Sequence, residues 1–123
     1  MSTNAILAAA IMIVESGGND RAVGDGGRAI GPLQIHAEIL LDVNRRFGTR
    51  FTHRGMTNRA DAVAVMDRYL WMYAQPGRLG RAVTNSDRAR IWNGGPDGWR
   101  RTATEAYAKR VAKQISRHEA GRK

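Results

Sequence analysis

Ten apolar residues run without interruption from Ala5 to Val14 and end directly at Glu15. Within them Ile6, Leu7, Ala10, Ile11 and Val14 recur at helical spacing, so the stretch predicts a buried helix capped by Ser2, Thr3 or Asn4 and stopped by Ser16-Gly17-Gly18. It is too short to span a bilayer. It also lacks a preceding Lys or Arg and a following small-residue cleavage site, so no signal peptide is expected.

From Asn19 to Ile35 the periodicity breaks into turn formers, with Ala22-Val23 and Ala29-Ile30 as short apolar steps around Asp25-Gly26-Gly27. An Asp-Gly pair suits the positive φ angles of a tight turn, which predicts one small hairpin. Helical spacing returns with Ile39, Leu40, Val43 and Phe47 and closes at Gly48, and Thr49 to Thr57 reads as a polar connection. A longer helix is predicted from Thr57 or Asn58, with Asp61 in its first turn and Val63, Met66, Leu70 and Tyr73 facing inward, stopping before Pro76-Gly77. Another is expected from Ser86 to about Trp92, ended by Asn93-Gly94-Gly95-Pro96. The last opens at Thr102-Ala103-Thr104-Glu105, a capping-box pattern, and carries Tyr107, Val111 and Ile115 on its face. The expected fold is therefore mainly α, of α+β type, with about five helices and one β hairpin between helices 1 and 2.

At 123 residues the chain has room for one domain and one core, spanning 1–123, with no internal repeat. Its 42% apolar and 25% charged residues are those of a globular protein rather than a disordered one. The absence of cysteine excludes a disulfide scaffold, a thiolate nucleophile and a thiolate metal site. His36, His53 and His118 have no ligand-like spacing, and Gly24-x-Gly26 opens no phosphate-binding helix, so neither metal nor cofactor is expected.

The net charge of +9 is unevenly divided. Residues 1–44 hold two bases and five acids, a net of −3, while the rest holds eighteen bases and six acids, a net of +12. Of the 20 bases, 17 are Arg, which favours an anion-binding surface over simple solubility. Arg100, Arg101 and the basic helix from about residue 102, with Lys109, Arg110, Lys113, Arg117, Arg122 and Lys123, form the strongest stripe, whose alternative is an ordinary solvated face. Nucleic acid, anionic lipid and bacterial cell wall all satisfy such a surface.

Glu15 stands out chemically. A carboxylate at the end of a wholly apolar helix, beside an open Ser-Gly-Gly loop, sits where packing meets solvent. Partial desolvation there favours the protonated form that a general acid needs; the plainer alternative is an acid facing water at a helix end.

Two runs then carry a resemblance. Glu15-Ser16-Gly17-Gly18-Asn19, Gly24-Asp25-Gly26 and Ala29-Ile30-Gly31-Pro32-Leu33-Gln34-Ile35 resemble the active-site run of the lysozyme superfamily, in the form shared by lytic transglycosylases and goose-type lysozymes. Ala89-Arg90-Ile91-Trp92-Asn93-Gly94-Gly95-Pro96-Asp97-Gly98-Trp99, followed by Thr104 and Tyr107 to Val111, is similar to the Asn-Gly-Gly-Pro segment and the helix after it in invertebrate-type lysozymes. Order and spacing agree over most of residues 4–111. The resemblance implies a lysozyme-like cleft and cleavage of the β-1,4 bond between N-acetylmuramic acid and N-acetylglucosamine in peptidoglycan, with Glu15 as the acid.

Asp25 is the nearest match to a second carboxylate, one residue closer to the Gly-Pro-x-Gln-Ile run than in invertebrate-type lysozymes; hairpin-turn chemistry explains it equally well. If Asp25 faces Glu15 across a sugar, hydrolysis by two carboxylates is available. If it points away, the muramic acid's own 6-hydroxyl closes on C1 and leaves a 1,6-anhydro end. The resemblance also places Ser16, Gln34 and Asn93 along the cleft and Tyr107 beside the acid. Gln34 has backbone capping as its alternative, Asn93 support of the glycine turn, and Tyr107 core packing. Trp92 stands where a histidine is usual and is expected in the core.

With no signal peptide and no cysteine, the expected source is a phage or bacterium. The protein would reside in a virion or the host cytoplasm and act on the cell wall at penetration or lysis, with the glycan strand as its partner and other virion proteins as further ones. The competing expectation is a non-enzymatic virion or nucleic-acid-binding component that uses the basic face.

Overall fold

The computed structural model describes residues 4–121. Ser2 and Thr3, two of the three N-cap candidates, and Arg122 and Lys123 lie outside them; the third candidate, Asn4, caps helix α1 (Ala5–Ser16) by accepting the Ile6 and Leu7 N–H groups. Leu7, Ala8, Ala10, Ile11 and Met12 are buried along this helix, while Ile13 reaches the surface. It ends where Gly17 turns left-handed at φ 66° and the Gly17 and Gly18 N–H groups bond to the Ile13 and Met12 carbonyls.

The hairpin follows. Strand β1 (Val23–Gly24) pairs antiparallel with β2 (Ala29–Ile30) around a 3-10 turn at Asp25–Gly27. Beyond it the chain passes Gly31, where an added Cβ would stand 1.8 Å from the Met56 carbonyl oxygen, so the loop after β2 lies directly on the segment before α3. Ile35 bridges back to Ile30.

Helix α2 (Ala37–Phe47) buries Leu40 and Val43 and closes at left-handed Gly48. The segment expected to be a polar connection is ordered instead. Asn44 binds the Phe51 backbone and the Thr49 hydroxyl, the His53 ring donates to the Ile35 carbonyl at 2.8 Å, and a 3-10 turn at Arg54–Thr57 buries Met56 completely. Helix α3 (Arg59–Tyr73) is capped by Asn58. Met66 and Leu70 are buried there with Ala62, Val65 and Tyr69, whereas Val63 and Tyr73 are only half-buried.

A one-turn helix α4 (Pro76–Leu79), begun by the proline, makes six helices among the described residues where about five were expected. Helix α5 (Asn85–Gly94) runs through the Asn-Gly pair and stops at Gly95. The capping box lies here, between Thr84 and Asp87, and not at the last helix. Before α6 (Glu105–Ala120), Thr102–Thr104 forms a 3-10 turn. The Thr104 hydroxyl lies 2.6 Å from the Gly98 carbonyl and 2.9 Å from the Arg101 carbonyl, and accepts from Arg90, so it is unavailable as a cap. The fold is thus mainly helical, with one hairpin between α1 and α2, as the patterning predicted. Helices α1 and α5 pack on α6, and Leu7, Ile11, Leu33, Ile35, Met66, Ile91 and Val111 form a shared core. Truncating one of these to alanine removes about 2–5 kcal/mol.

Candidate functional site

A cleft of about 580 Å³ opens between the hairpin and the end of α5. Glu15 from the last turn of α1 lines it, with Gly24, Asp25, Gln34 and His36 on the hairpin side, Trp92, Asn93 and Gly95 on the α5 side, and Tyr69 of α3. A smaller hollow of about 380 Å³ between α5 and α6 has Ala108, Val111, Ala112 and Ile115 among its walls, and its carboxylate, Glu105, is exposed.

Glu15 is half-buried, and its Oε2 accepts the Tyr107 hydroxyl from α6 at 3.0 Å. Burial is the largest influence on this carboxyl and raises its pKa above the ordinary 4.5; the Tyr107 hydrogen bond and the Arg110 charge work against it, Asp25 adds to it, and His36 lowers it. The net effect is upward, which favours the protonated acid. Tyr107 is buried, with the Arg110 guanidinium 5.8 Å from its ring centre, and both its burial and the adjacent carboxylate oppose loss of its proton. It therefore acts as a permanent donor to Glu15.

Asp25 begins the hairpin turn at φ 49°, a left-handed conformation uncommon for a residue with a Cβ. It serves the turn and lines the cleft at once. Its carboxylate accepts from His36 Nε2 at 2.9 Å. Gln34, also left-handed at φ 50°, lines the cleft, but its amide nitrogen donates to the Ala22 and Gly31 carbonyls at 3.2 and 3.0 Å. Its oxygen crowds Gly24, where an added Cβ would stand 2.3 Å away. The Gln34 amide therefore braces the hairpin.

Ser16 departs from the expected cleft lining. Its hydroxyl lies 3.1 Å from the Met12 carbonyl and 2.8 Å from the Pro32 carbonyl, and it fastens the end of α1 to the loop after β2. The reason is its place in the last turn of a helix, where a hydroxyl reaches the carbonyl four residues back. Asn93 is exposed on the cleft wall. Trp92, expected in the core, is 5% exposed and meets Tyr69 edge to face at 5.7 Å, so buried aromatics form the cleft floor.

Sequence reasoning passed over His36 and Tyr69. His36 is the extended residue just before α2, next to wholly buried Ile35, and only the folded hairpin brings it to the cleft. Tyr69 was hidden in the helical pattern of α3.

The α5 wall is fixed from outside the cleft. Arg78 binds the Tyr73 and Pro96 carbonyls at 2.8 and 2.9 Å and reaches Asp97, which Arg100 also contacts. Among the described residues no group of three or more His, Cys, Asp or Glu side chains is placed to hold a metal ion, and no helix is long and apolar enough to cross a membrane. Along α6, Lys109, Arg110, Lys113 and Arg117 are exposed.

No family model matches the chain, and no curated protein matches it.

Proposed function

We propose that the protein is a muramidase that cleaves the β-1,4 bond between N-acetylmuramic acid and N-acetylglucosamine, with Glu15 as the general acid. The observation that carries this reading is a carboxyl with raised pKa at the wall of an open cleft, fixed by one tyrosine hydroxyl and shared with a second carboxylate, Asp25. A glycosidic oxygen is a poor leaving group until it is protonated, so such a reaction needs an acid that still holds its proton near neutral pH. Asp25 in the same cleft supplies a base for water, which favours hydrolysis over internal closure. In this reading Asn93, exposed on the cleft wall, bonds an acetamido group, and the exposed cations of α6 suit an anionic wall. A lysozyme-like fold, a phage source and action at the wall belong to the same reading.

The test is release of soluble muropeptides from Gram-negative murein. Wild-type protein is expected to release them, and Glu15→Gln to lower the rate by roughly 10²–10⁴-fold with an unchanged far-UV circular dichroism spectrum. Equal rates for the two proteins would remove Glu15 from the chemistry. Salt-sensitive DNA binding without any murein turnover would favour the non-enzymatic alternative.

A further inference from the structure

Asp25 occupies an exposed hairpin turn, and 63% of its side chain is open to solvent. A carboxylate in that position rotates among rotamers unless a second group holds it. Arg28 does not hold it, because its Nε donates at 3.2 Å to the Asp25 backbone carbonyl and not to the side chain. His36 does. Its Nε2 lies 2.9 Å from Asp25 Oδ2, and since a carboxylate oxygen accepts, the ring nitrogen is the donor.

The ring is itself located. His36 is the extended residue immediately before α2, following Ile35, whose carbonyl is held by His53. Its Nδ1 lies 3.9 Å from Glu38 Oε2. His36 makes no capping hydrogen bond to α2, so its side chain is free to serve the hairpin across the cleft edge.

We propose that His36 is a positioning residue for Asp25: it holds one carboxylate oxygen, leaves the other for a water in the cleft, and so favours attack by water over closure by the sugar's 6-hydroxyl. The proposal rests on the muramidase reading. In the water route the bond from C1 to the bridging oxygen breaks, the Glu15 proton goes to that departing oxygen, the water oxygen bonds to C1, and its proton passes to Asp25. In the internal route the same C1–O bond breaks and the Glu15 proton goes to the departing oxygen, while the 6-hydroxyl oxygen bonds to C1 and its proton returns to Glu15. Only the first route uses Asp25, so loosening Asp25 shifts the product ratio.

The experiment counts reducing and 1,6-anhydro ends by mass spectrometry among the muropeptides released by wild type, His36→Phe, His36→Gln, Asp25→Asn and the Asp25→Asn/His36→Phe pair. A ratio of two products does not depend on how much of a variant is folded. His36→Phe is expected to lower the ratio of reducing to anhydro ends about tenfold, the scale of a misplaced catalytic group. His36→Gln, which keeps a donor, restores most of it, and His36→Phe adds nothing once Asp25 is Asn. An unchanged ratio in His36→Phe, an equal shift in the Asp25→Asn background, or a wild type that yields anhydro ends alone would each overturn the role of His36. Absence of any release by wild type overturns the muramidase reading and this proposal together, whereas release with an unaltered ratio overturns the role of His36 only.

Discussion

Asp87 at the start of α5 and Glu15 at the end of α1 are both withdrawn from solvent, and the fold treats them in opposite ways. Asp87, with its side chain 4% exposed, accepts two Arg81 N–H groups at 2.6 and 2.7 Å and bonds to the backbone and hydroxyl of Thr84. Arg81 outweighs the opposing effect of burial, with Thr84 adding to it, and holds the carboxyl down at about 2. Glu15 receives one neutral hydroxyl, and the nearby cation Arg110 stands over the tyrosine ring. There burial wins and the pKa rises. An acid paired with guanidinium is held ionised and builds structure; an acid given only a phenol is shifted toward its protonated form.

The largest way to test that contrast is the loss of turnover in Glu15→Gln set out above, against which Asp87→Asn is expected to leave kcat nearly unchanged at a temperature where it is folded. Asp87→Ala should instead cost about 2 kcal/mol of stability through the lost capping box and ion pair, read as a lower midpoint in urea. Because the folded value of Asp87 lies below its ordinary 3.8, its contribution is present above that value and fades as pH falls toward about 2. A midpoint equal to that of wild type at pH 7 would break the structural half of the comparison.

Glu15 has the reverse sign. Its folded value lies above 4.5, so stability declines as pH rises from 4.5 through the raised value. Glu15→Gln is therefore expected to melt at a higher temperature than wild type at pH 7, with the two converging below pH 4.5. A lower Tm for the variant at pH 7 would contradict a strained acid. The smallest effect belongs to Tyr107→Phe. It removes a hydrogen bond that lowers the Glu15 pKa, so the alkaline limb of the rate profile should move to higher pH. A limb that moves down would show that Tyr107 does not favour the ionised form.

Much of the fold was legible because its punctuation is local: Asn4 and Asn58 start helices, Gly17 and Gly48 end them, and Asp25-Gly26-Gly27 turns the hairpin. Where a residue had two partners to choose from, pattern was insufficient. Thr104 sits in a good capping sequence but lies against the Gly98 and Arg101 carbonyls, and the box forms at Thr84–Asp87. Met56 looked like part of a polar linker because the depth of its burial depends on Gly31 lying against its carbonyl. In the site, the place of Glu15 at the end of a wholly apolar helix, beside an open Ser-Gly-Gly loop, marked it from sequence. The tie between Asp25 and His36, eleven residues apart, and the turn of Ser16 onto Pro32 required the third dimension.

The central claim concerns where the Glu15 proton resides, and a carbon-13 NMR titration of the side-chain carboxyls reads it residue by residue. The account predicts that the Glu15 carboxyl titrates above 4.5 while Asp87 titrates near 2 in the same sample. A Glu15 that titrates at or below 4.5 would contradict it.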